Sequence, residues 1–344
     1  MRIWSQEEKS FMQQAIDVAW NGRGKTSPNP MVGCVLVQDG EVIAKGWHDH
    51  LGALHAEQMA IHNAEENGKS TNGATAYVTL EPCNHFGRTP PCTESLLWAG
   101  IGKVVIACKD PNPNVRGSGI SVLEKAGIEV EYGLLEDQAA HQMEGFLHWC
   151  EHRKPIVTVK LAVDQNGSVD DLSSKSKRFT SEECLNRVHD FRKDFDAILV
   201  GANTVIRDNP QLTIRRVHSD RQPLRIVVDP NNRIDSSSLL LNDEFETLHL
   251  TSEFNGISSL LNKLGDMEIQ TLLVEGGPTT IRHFLEEGHV SKFYVVNSKI
   301  THSEPVDSGI NKEMLENIGF ELLYTEKWGE EIVEVFSNKR IISV

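Results

Sequence analysis

The chain has 344 residues, more than one ordinary hydrophobic core supports, so we expect two domains. Its net charge of -15 is spread evenly, with 11 Lys and Arg against 18 Asp and Glu over residues 1–150, and this acidic balance argues against nucleic-acid binding. The start has no apolar signal-peptide core and no later run approaches the length of a membrane span, so the sequence predicts a cytoplasmic protein.

The first half alternates helix and strand signals, which favours an α/β domain with a partly parallel sheet. Ser5 and Glu8 form a capping box ahead of a helix, and Asp39-Gly40 joins two strands as a hairpin turn. The further predicted elements are a helix in AEQMAIHNAEENG, a strand in ATAYVTL, a helix after Cys92 that ends at Gly100, a strand in KVVIAC, a helix near SGISVLEKAG and a strand in IEVEYGLL.

A polar stretch ending in proline, CEHRKP at residues 150–155, indicates the boundary between domains 1–150 and 155–344. The second half alternates again: it opens on the β-rich run IVTVKLAV. The further predicted elements are helices in SEECLNRVHDFR, ISSLLNKLG and TTIRHFLEEG and strands in AILVG, LRIVVD, ETLHLT, IQTLLVEGG, KFYVVN, VEVFSN and RIISV.

Two motifs together predict a catalytic zinc site. In LHAEQ, His55 stands at a predicted helix start, and in LEPCNHFGRTPPC, Cys83 is expected to begin another helix with Cys92 following nine residues later. Three protein ligands, His55, Cys83 and Cys92, leave the fourth tetrahedral position for water, and positive helix ends favour the thiolates that zinc requires. Disulfides are not expected in a chain that lacks a secretion signal.

Glu57 is the predicted general acid and base, and would move a proton from water to a leaving amine. An H-x-E motif followed by P-C and a second cysteine is the pattern of zinc deaminases. The alternative is that His55 and Glu57 are ordinary helix-start residues and the cysteines small core fillers. Eight residues separate the two cysteines where the general pattern has two, and we expect this insertion to supply substrate contacts.

The motifs NPMVGCV, GWHDHLGALHAE, LEPCNHFGRTPPC and DPNP resemble, in this order, the bifunctional riboflavin-biosynthesis deaminase and reductase family. The resemblance covers nearly the whole chain. It implies a zinc-dependent, cytidine-deaminase-like α/β/α domain that removes an amine from 2,5-diamino-6-(5-phosphoribosylamino)pyrimidin-4(3H)-one. It also implies substrate contacts at Asn29, His48, His85, Arg88, Asp110 and Asn112, although Asn29 and DPNP are equally typical of turns.

In the second half, LLVEGGPTTIRHFLEEG predicts a strand that runs through two glycines into a helix. The backbone amides at the start of this helix suit a phosphate. The alternative is that the two glycines form only a structural turn. The segment DAILVGANTVIRDNPQLTIR resembles the family's reductase motif and implies a dihydrofolate-reductase-like α/β domain that reduces the ribosyl chain to ribityl phosphate. By this resemblance, NADPH contacts are Ala162, Thr204, Asp208, Gly277, Pro278, Thr279, Thr280, Ile281, Arg282 and His283. Reductase substrate contacts are Ser176, Arg178, Arg192, Leu212, Arg215 and Glu275.

Two departures from the family pattern bear on the reductase. Relatives usually have serine, leucine, aspartate and glycine where this chain has residues 164–167, Asp-Gln-Asn-Gly, and tryptophan where it has Arg178. They keep open the alternative that residues 155–344 form a non-catalytic binding or dimerisation module. A third hypothesis, a nucleic-acid base deaminase, requires a basic channel that the charge does not favour. Relatives of this kind suggest a homodimer or homotetramer acting on phosphorylated pyrimidines, without nucleic-acid or membrane partners.

Overall fold

A computed structural model of the chain describes residues 2–85, 90–111, 118–173 and 179–338. The chain folds into two compact units, Met1–His152 and Arg153–Val344. Within the described ranges, no helix is long and apolar enough to cross a membrane.

The first unit is built on a five-stranded mixed sheet. Its strands are β1 (Gly33–Gln38), β2 (Glu41–Trp47), β3 (Thr75–Leu80), β4 (Lys103–Cys108) and β5 (Glu129–Tyr132). They lie in the order β2-β1-β3-β4-β5; β1 is antiparallel to β2 and β3, whereas β3, β4 and β5 are parallel. The β1–β2 hairpin and β3 to β5 confirm the strands predicted for this half.

Helices cover both faces of this sheet. They are α1 (Gln6–Ala19), α2 (Ala56–Glu66), α3 (Cys92–Trp98), α4 (Ser118–Lys125), α5 (Glu136–Gln142) and α6 (Glu144–His152), with a 3-10 turn at Trp20–Gly22. Because side chains alternate along a strand, Cys34 and Leu36 of β1 pack with α2, α3 and α4, and Val35 and Val37 pack with α1, α5 and α6. The unit is therefore a three-layer α/β/α domain.

Gly46 allows α2 to lie directly on β2. A side-chain Cβ at this position would fall 2.3 Å from the Ala56 carbonyl oxygen and 2.3 Å from the Ala60 nitrogen. The small residues Ala56, Ala60 and Ala64 on the facing side of α2 are all fully buried. Close backbone packing thus fixes the helix that begins with the predicted metal and acid/base residues.

The second unit contains an eight-stranded sheet. Its strands are β6 (Ile156–Val163), β8 (Ala197–Gly201), β9 (Leu224–Val228), β10 (Thr247–Leu250), β11 (Thr271–Val274), β12 (Val290–Asn297), β14 (Phe320–Trp328) and β15 (Glu331–Asn338). The order is β10-β9-β8-β11-β6-β12-β15-β14, and the neighbours from β10 to β12 are parallel. β15 is antiparallel to both of its neighbours, β12 and β14. A two-stranded ribbon pairs β7 (Ser168–Asp171) with β13 (Pro305–Asp307).

Helices again pack on both faces of this larger sheet. They are α7 (Glu182–Phe191), α8 (Ala202–Asp208), α9 (Leu239–Asn242), α10 (Ile257–Asp266), α11 (Pro278–Glu286) and α12 (Lys312–Asn317), with a 3-10 turn at Arg192–Asp194. The largest core cluster joins α10, α11 and α12 to the sheet. A second cluster joins α8 and α9 to the sheet, and a third joins α7 to it. This is an α/β domain, as predicted.

Some elements were not predicted. The stretch at residues 150–155 is the predicted domain boundary, and α6 extends into it as far as His152. Cys83 was expected to begin a helix, and this was wrong: residues 81–85 are irregular, and α3 begins at Cys92. The strand predicted in RIISV lies outside the described residues.

We expect Gly46→Ala to destabilise the first unit by about 1–3 kcal/mol, because the added methyl group overpacks against the α2 backbone. Thermal unfolding of the full chain, together with its zinc content, measures the effect. Gly102→Ala is the matched control, since the nearest atom to its Cβ would lie 3.2 Å away. Equal unfolding temperatures for the two variants would contradict this packing argument.

Candidate active sites

Three potential metal ligands converge at the helix starts of the first unit. His55 is the N-cap residue of α2, and Cys92 is the first residue of α3. The His55 Nδ1 atom lies 3.2 Å from the Cys92 Sγ atom and 3.5 Å from the Cys83 Sγ atom. The ligand atoms of all three residues lie within 4.8 Å of one another. One imidazole and two thiols are the ligand set of a catalytic zinc site, so these residues fit the metal.

The thiols and the imidazole influence one another's protonation. The hydrogen bond between Cys83 and Cys92 lowers the pKa of Cys83 to about 4 and raises the pKa of Cys92 well above its usual value. The Cys92 amide also donates to the Cys83 Sγ at 3.4 Å. The hydrogen bond to Cys83 raises the pKa of His55. A backbone amide and an imidazole therefore already favour a thiolate at Cys83.

Glu57 lies beside this cluster. Its side chain is buried, with 3% of the residue exposed, and it contacts the Cys92 thiol. Burial raises the pKa of Glu57 to about 7 in the metal-free arrangement. No Lys or Arg pairs with it in the described part of the chain. The carboxyl is thus placed next to the predicted ligands and can hold or release a proton.

Two predicted substrate contacts of this unit, Asn29 and His48, are hydrogen-bonded to each other. His48 is buried; its Nδ1 lies 3.0 Å from the Leu54 carbonyl, so that nitrogen carries the proton, and its Nε2 accepts from the Asn29 amide at 3.1 Å. The rings of His48 and His55 meet edge to face, 5.4 Å apart. Asn29 and His48 therefore lie together beside the metal ligands.

His85 is exposed and Asp110 is buried at the start of the segment that follows β4. Because β3 and β4 are parallel and pair Leu80 with Cys108, the segments containing Cys83 and Asp110 leave the same edge of the sheet. Arg88 and Asn112 lie outside the described residues.

The second unit contains a cavity of about 1180 Å³. Nine residues expected to contact cofactor or substrate line it: Ala162, Thr204, Asp208, Arg192, Leu212, Arg215, Glu275, Gly277 and Pro278. The Gly277 amide, at the N-cap of α11, donates to the Thr204 Oγ1 at 3.2 Å and so joins α11 to α8. A volume of this size accommodates a dinucleotide beside a small substrate.

The remaining predicted contacts of α11 lie away from the lining. Ile281 is fully buried in the core, the Arg282 guanidinium donates to the Ser308 carbonyl, and His283 is exposed. Thr279 and Thr280 do not line the cavity either. Ser176 and Arg178 lie outside the described residues.

A buried ion network lies in the cavity wall. Arg192 donates to both carboxylate oxygens of Glu275, at 2.8 and 3.1 Å, and the Lys160 Nζ lies 3.1 Å from Glu275 Oε2. Burial would raise the pKa of Glu275, but Arg192 and Lys160 outweigh it and hold that pKa well below its usual value. Glu275 is therefore a fixed anion flanked by two cations.

Two residues in this wall were missed from the sequence. Lys160 interrupts the apolar run IVTVKLAV, and a lone cation in a buried strand was the available signal. His189 accepts the Arg215 amide on its Nδ1 at 3.2 Å, and burial lowers its pKa to about 4. The imidazole is therefore neutral near pH 7.

The Asp164 departure has a structural role. Its Oδ1 accepts the amides of Asn166 and Ser168, each at 2.8 Å, and its Oδ2 accepts the His302 amide at 2.9 Å. Gly167, with φ of 85°, closes the turn through its amide to the Asp164 carbonyl. The added charge is thus satisfied by backbone donors.

Comparison with known proteins assigns both units to families. Residues 5–108 match the cytidine and deoxycytidylate deaminase zinc-binding region, and residues 155–300 match the RibD C-terminal domain. The riboflavin biosynthesis protein RibD of Aquifex aeolicus is 37% identical and covers 92% of this chain and 97% of its own length. The Escherichia coli protein of the same name is 36% identical and covers 84% and 87%.

Solved structures agree over nearly the full length. Acinetobacter baumannii RibD has a TM-score of 0.89 at 34% identity and covers 96% of this chain and 99% of its own. A Thermotoga maritima diaminohydroxyphosphoribosylaminopyrimidine deaminase/5-amino-6-(5-phosphoribosylamino)uracil reductase has a TM-score of 0.88 at 34% identity with the same coverage. The chain therefore belongs to the RibD family of riboflavin biosynthesis proteins, and it is a bifunctional enzyme that joins a zinc-dependent deaminase to an NADPH-dependent reductase.

Proposed function

We propose that residues 1–150 deaminate 2,5-diamino-6-(5-phosphoribosylamino)pyrimidin-4(3H)-one, and that residues 155–344 then reduce the ribosyl group of the product to ribityl phosphate with NADPH. The convergence of His55, Cys83 and Cys92 beside buried Glu57 is the observation that carries the first half of this proposal. The name of the Thermotoga maritima relative, which specifies a diaminohydroxyphosphoribosylaminopyrimidine deaminase and a 5-amino-6-(5-phosphoribosylamino)uracil reductase, supports the choice of substrates.

In the proposed deamination, His55, Cys83 and Cys92 hold zinc, which when bound makes water a nucleophile near neutral pH. Glu57 takes a proton from the attacking water and gives a proton to the leaving amine. The amine departs as ammonia, and the ring carbon keeps the oxygen of the water. Asn29, held by His48, and Asp110 contact the pyrimidine, while His85, Arg88 and Asn112 complete the substrate contacts.

In the proposed reduction, NADPH would supply a hydride to C1′ of the ribose; the C1′–O4′ bond is broken and the ring oxygen takes up a proton, so that the ribosyl group becomes ribityl. Ala162, Thr204, Asp208, Gly277 and Pro278, which line the cavity, contact the cofactor, whereas the predicted contacts at residues 279–283 are not proposed because these residues do not line it. Arg215 and the Arg192–Glu275 pair orient the substrate, together with Leu212, Ser176 and Arg178. The fixed charges of this network support the assignment, because a planar guanidinium suits a sugar phosphate or its hydroxyls. We further propose a cytoplasmic homodimer or homotetramer.

Incubating the purified chain with the diaminopyrimidine, with and without NADPH, tests the order of the two steps. Mass spectrometry should show exchange of an amine for oxygen without NADPH, and a further gain of hydrogens only when NADPH is added. Failure to detect the first product would rule out the proposed deamination, and the first product alone would rule out the proposed reduction.

We expect Glu57→Gln to lower the deamination rate by about 10²- to 10⁴-fold, because the amide cannot transfer the proton. Zinc content, measured by elemental analysis, should stay at one per chain, and NADPH oxidation with the deaminated substrate should not change. Glu65→Gln, exposed on the same helix, is the control and should behave as wild type. Full deaminase activity in Glu57→Gln would refute this assignment.

We expect removal of zinc by a chelator to abolish deamination and to leave the reductase active, because the predicted ligands belong to the first unit only. Product analysis and the absorbance of the reduced nicotinamide follow the two reactions in the same treated sample. Adding zinc back should restore deamination. Equal loss of both activities, unrestored by zinc, would contradict separate sites.

We expect Glu275→Gln to slow NADPH oxidation by at least about tenfold, because it leaves Arg192 and Lys160 without their buried anion. Deamination serves as the internal measure of folding and should be unchanged. Glu182→Gln is the matched control: it also removes the carboxylate of an arginine pair, with Arg216, but its side chain is 76% exposed. A wild-type reductase rate in Glu275→Gln would argue against a role for this network.

A further inference from the structure

Glu81 is a buried carboxylate that the proposed chemistry does not use. It directly follows β3 and precedes Pro82 and Cys83, and only 3% of the residue is exposed. Its Oε1 accepts the amides of Gly119 at 3.1 Å and Ile120 at 3.3 Å. Its Oε2 accepts the Asp110 amide at 3.3 Å. One side chain therefore gathers backbone donors from two separate segments.

These donors lie on either side of the connection between β4 and α4. Asp110 follows β4 closely, and Gly119 and Ile120 belong to the first turn of α4. The first amides of a helix have no partner within the helix, and a negative charge at this end also favours the helix dipole. The Glu81 carboxylate accepts amides of the first turn of α4 and places a negative charge at the start of this helix. It also accepts the Asp110 amide at the start of the connection.

The start of α4 is fitted tightly to the segment that contains Cys83. A Cβ on Gly119 would lie 2.1 Å from the Pro82 carbonyl oxygen. The Glu81 amide in turn donates to the Cys108 carbonyl, at 2.9 Å, at the end of β4. The metal-ligand segment, the end of β4 and the start of α4 thus meet at one residue.

We propose that Glu81 is a positioning residue of the deaminase, which fixes the substrate-contacting Asp110 relative to the metal-ligand segment. This inference rests on the proposed function, which places Asp110 against the pyrimidine. A carboxylate suits the role because each of its oxygens accepts hydrogen bonds. A glutamine has one accepting oxygen, so it can accept either the Asp110 amide or the α4 amides, but not both. Its NH₂ group, itself a donor, would then face the remaining backbone amide donor.

The test compares wild type with Glu81→Gln in the full chain. We expect the KM for deamination to rise about tenfold and kcat to change by less than about threefold, since the lost bonds position the bound substrate rather than the reacting atoms. Zinc should stay at one per chain, and NADPH oxidation with the deaminated substrate should not change. Amide hydrogen exchange should become faster at Asp110, Gly119 and Ile120.

Leu123→Ala separates positioning from stability. Leu123 is fully buried on α4 and makes none of the Glu81 contacts, so its loss should lower the unfolding temperature without raising KM. A double-mutant cycle with Asp110→Asn checks the route of the effect. If Glu81 acts through Asp110, the double variant should have the KM of Asp110→Asn alone, within about twofold.

Several outcomes would overturn the inference. They are an unchanged KM in Glu81→Gln, an equal rise of KM in Leu123→Ala, additive effects in the cycle, or loss of zinc from Glu81→Gln. A wild-type protein that fails to deaminate the diaminopyrimidine overturns the proposed function and this inference together. An active wild type with an unaffected Glu81→Gln variant overturns the inference alone.

Discussion

The parallel pairing of β3 with β4 is the constraint on which the deaminase site depends. Pairing Leu80 with Cys108 makes both strands end at one edge of the sheet, and the hydrogen bond from the Glu81 amide to the Cys108 carbonyl extends this register by one residue. The metal-ligand segment and the Asp110 segment then leave this edge side by side. A slip of one residue would exchange the two faces of β3 and turn Ala76 and Val78 away from α2 and α3, the helices whose starts carry His55 and Cys92.

The two units handle buried carboxylates in opposite ways, and the difference matches their chemistry. Glu57 lies beside thiols and an imidazole with its pKa raised by burial, so its proton can move. Glu275 is held between Arg192 and Lys160 with its pKa far below the usual value, so its charge is permanent. Amine hydrolysis needs a carboxylate that exchanges protons, whereas a carboxylate of permanent charge can orient a phosphorylated sugar but cannot be the proton donor of the reduction. The surroundings of each carboxylate determine which role it can have.

The sequence predicted those parts of the fold whose signals are local. The capping box of Ser5 and Glu8, the Asp39-Gly40 turn and the apolar strand KVVIAC each depend on neighbouring residues, and the structure contains all three. The short α8 and the β7–β13 ribbon were missed because tertiary contacts stabilise them. In the ribbon, Asp171 accepts the amides of Ser303 and Glu304, more than a hundred residues away in sequence. The helix expected at Cys83 was wrong: eight residues separate the two cysteines, and the helix begins only at Cys92.

The candidate sites show the same difference between features that the local sequence determines and features that depend on tertiary contacts. The zinc ligands could be identified because ligand type and spacing are properties of the sequence, but the role of Asp164 could not. From the sequence, the departure at Asp164 keeps open the alternative of a non-catalytic module. In the structure, its two oxygens accept three backbone amides, one of them from His302 across the sheet edge. A carboxylate that accepts hydrogen bonds from buried donors stabilises the loop that it begins. The departure from the family pattern is therefore compensated within this chain, and it gives no physical reason to expect a silent reductase domain.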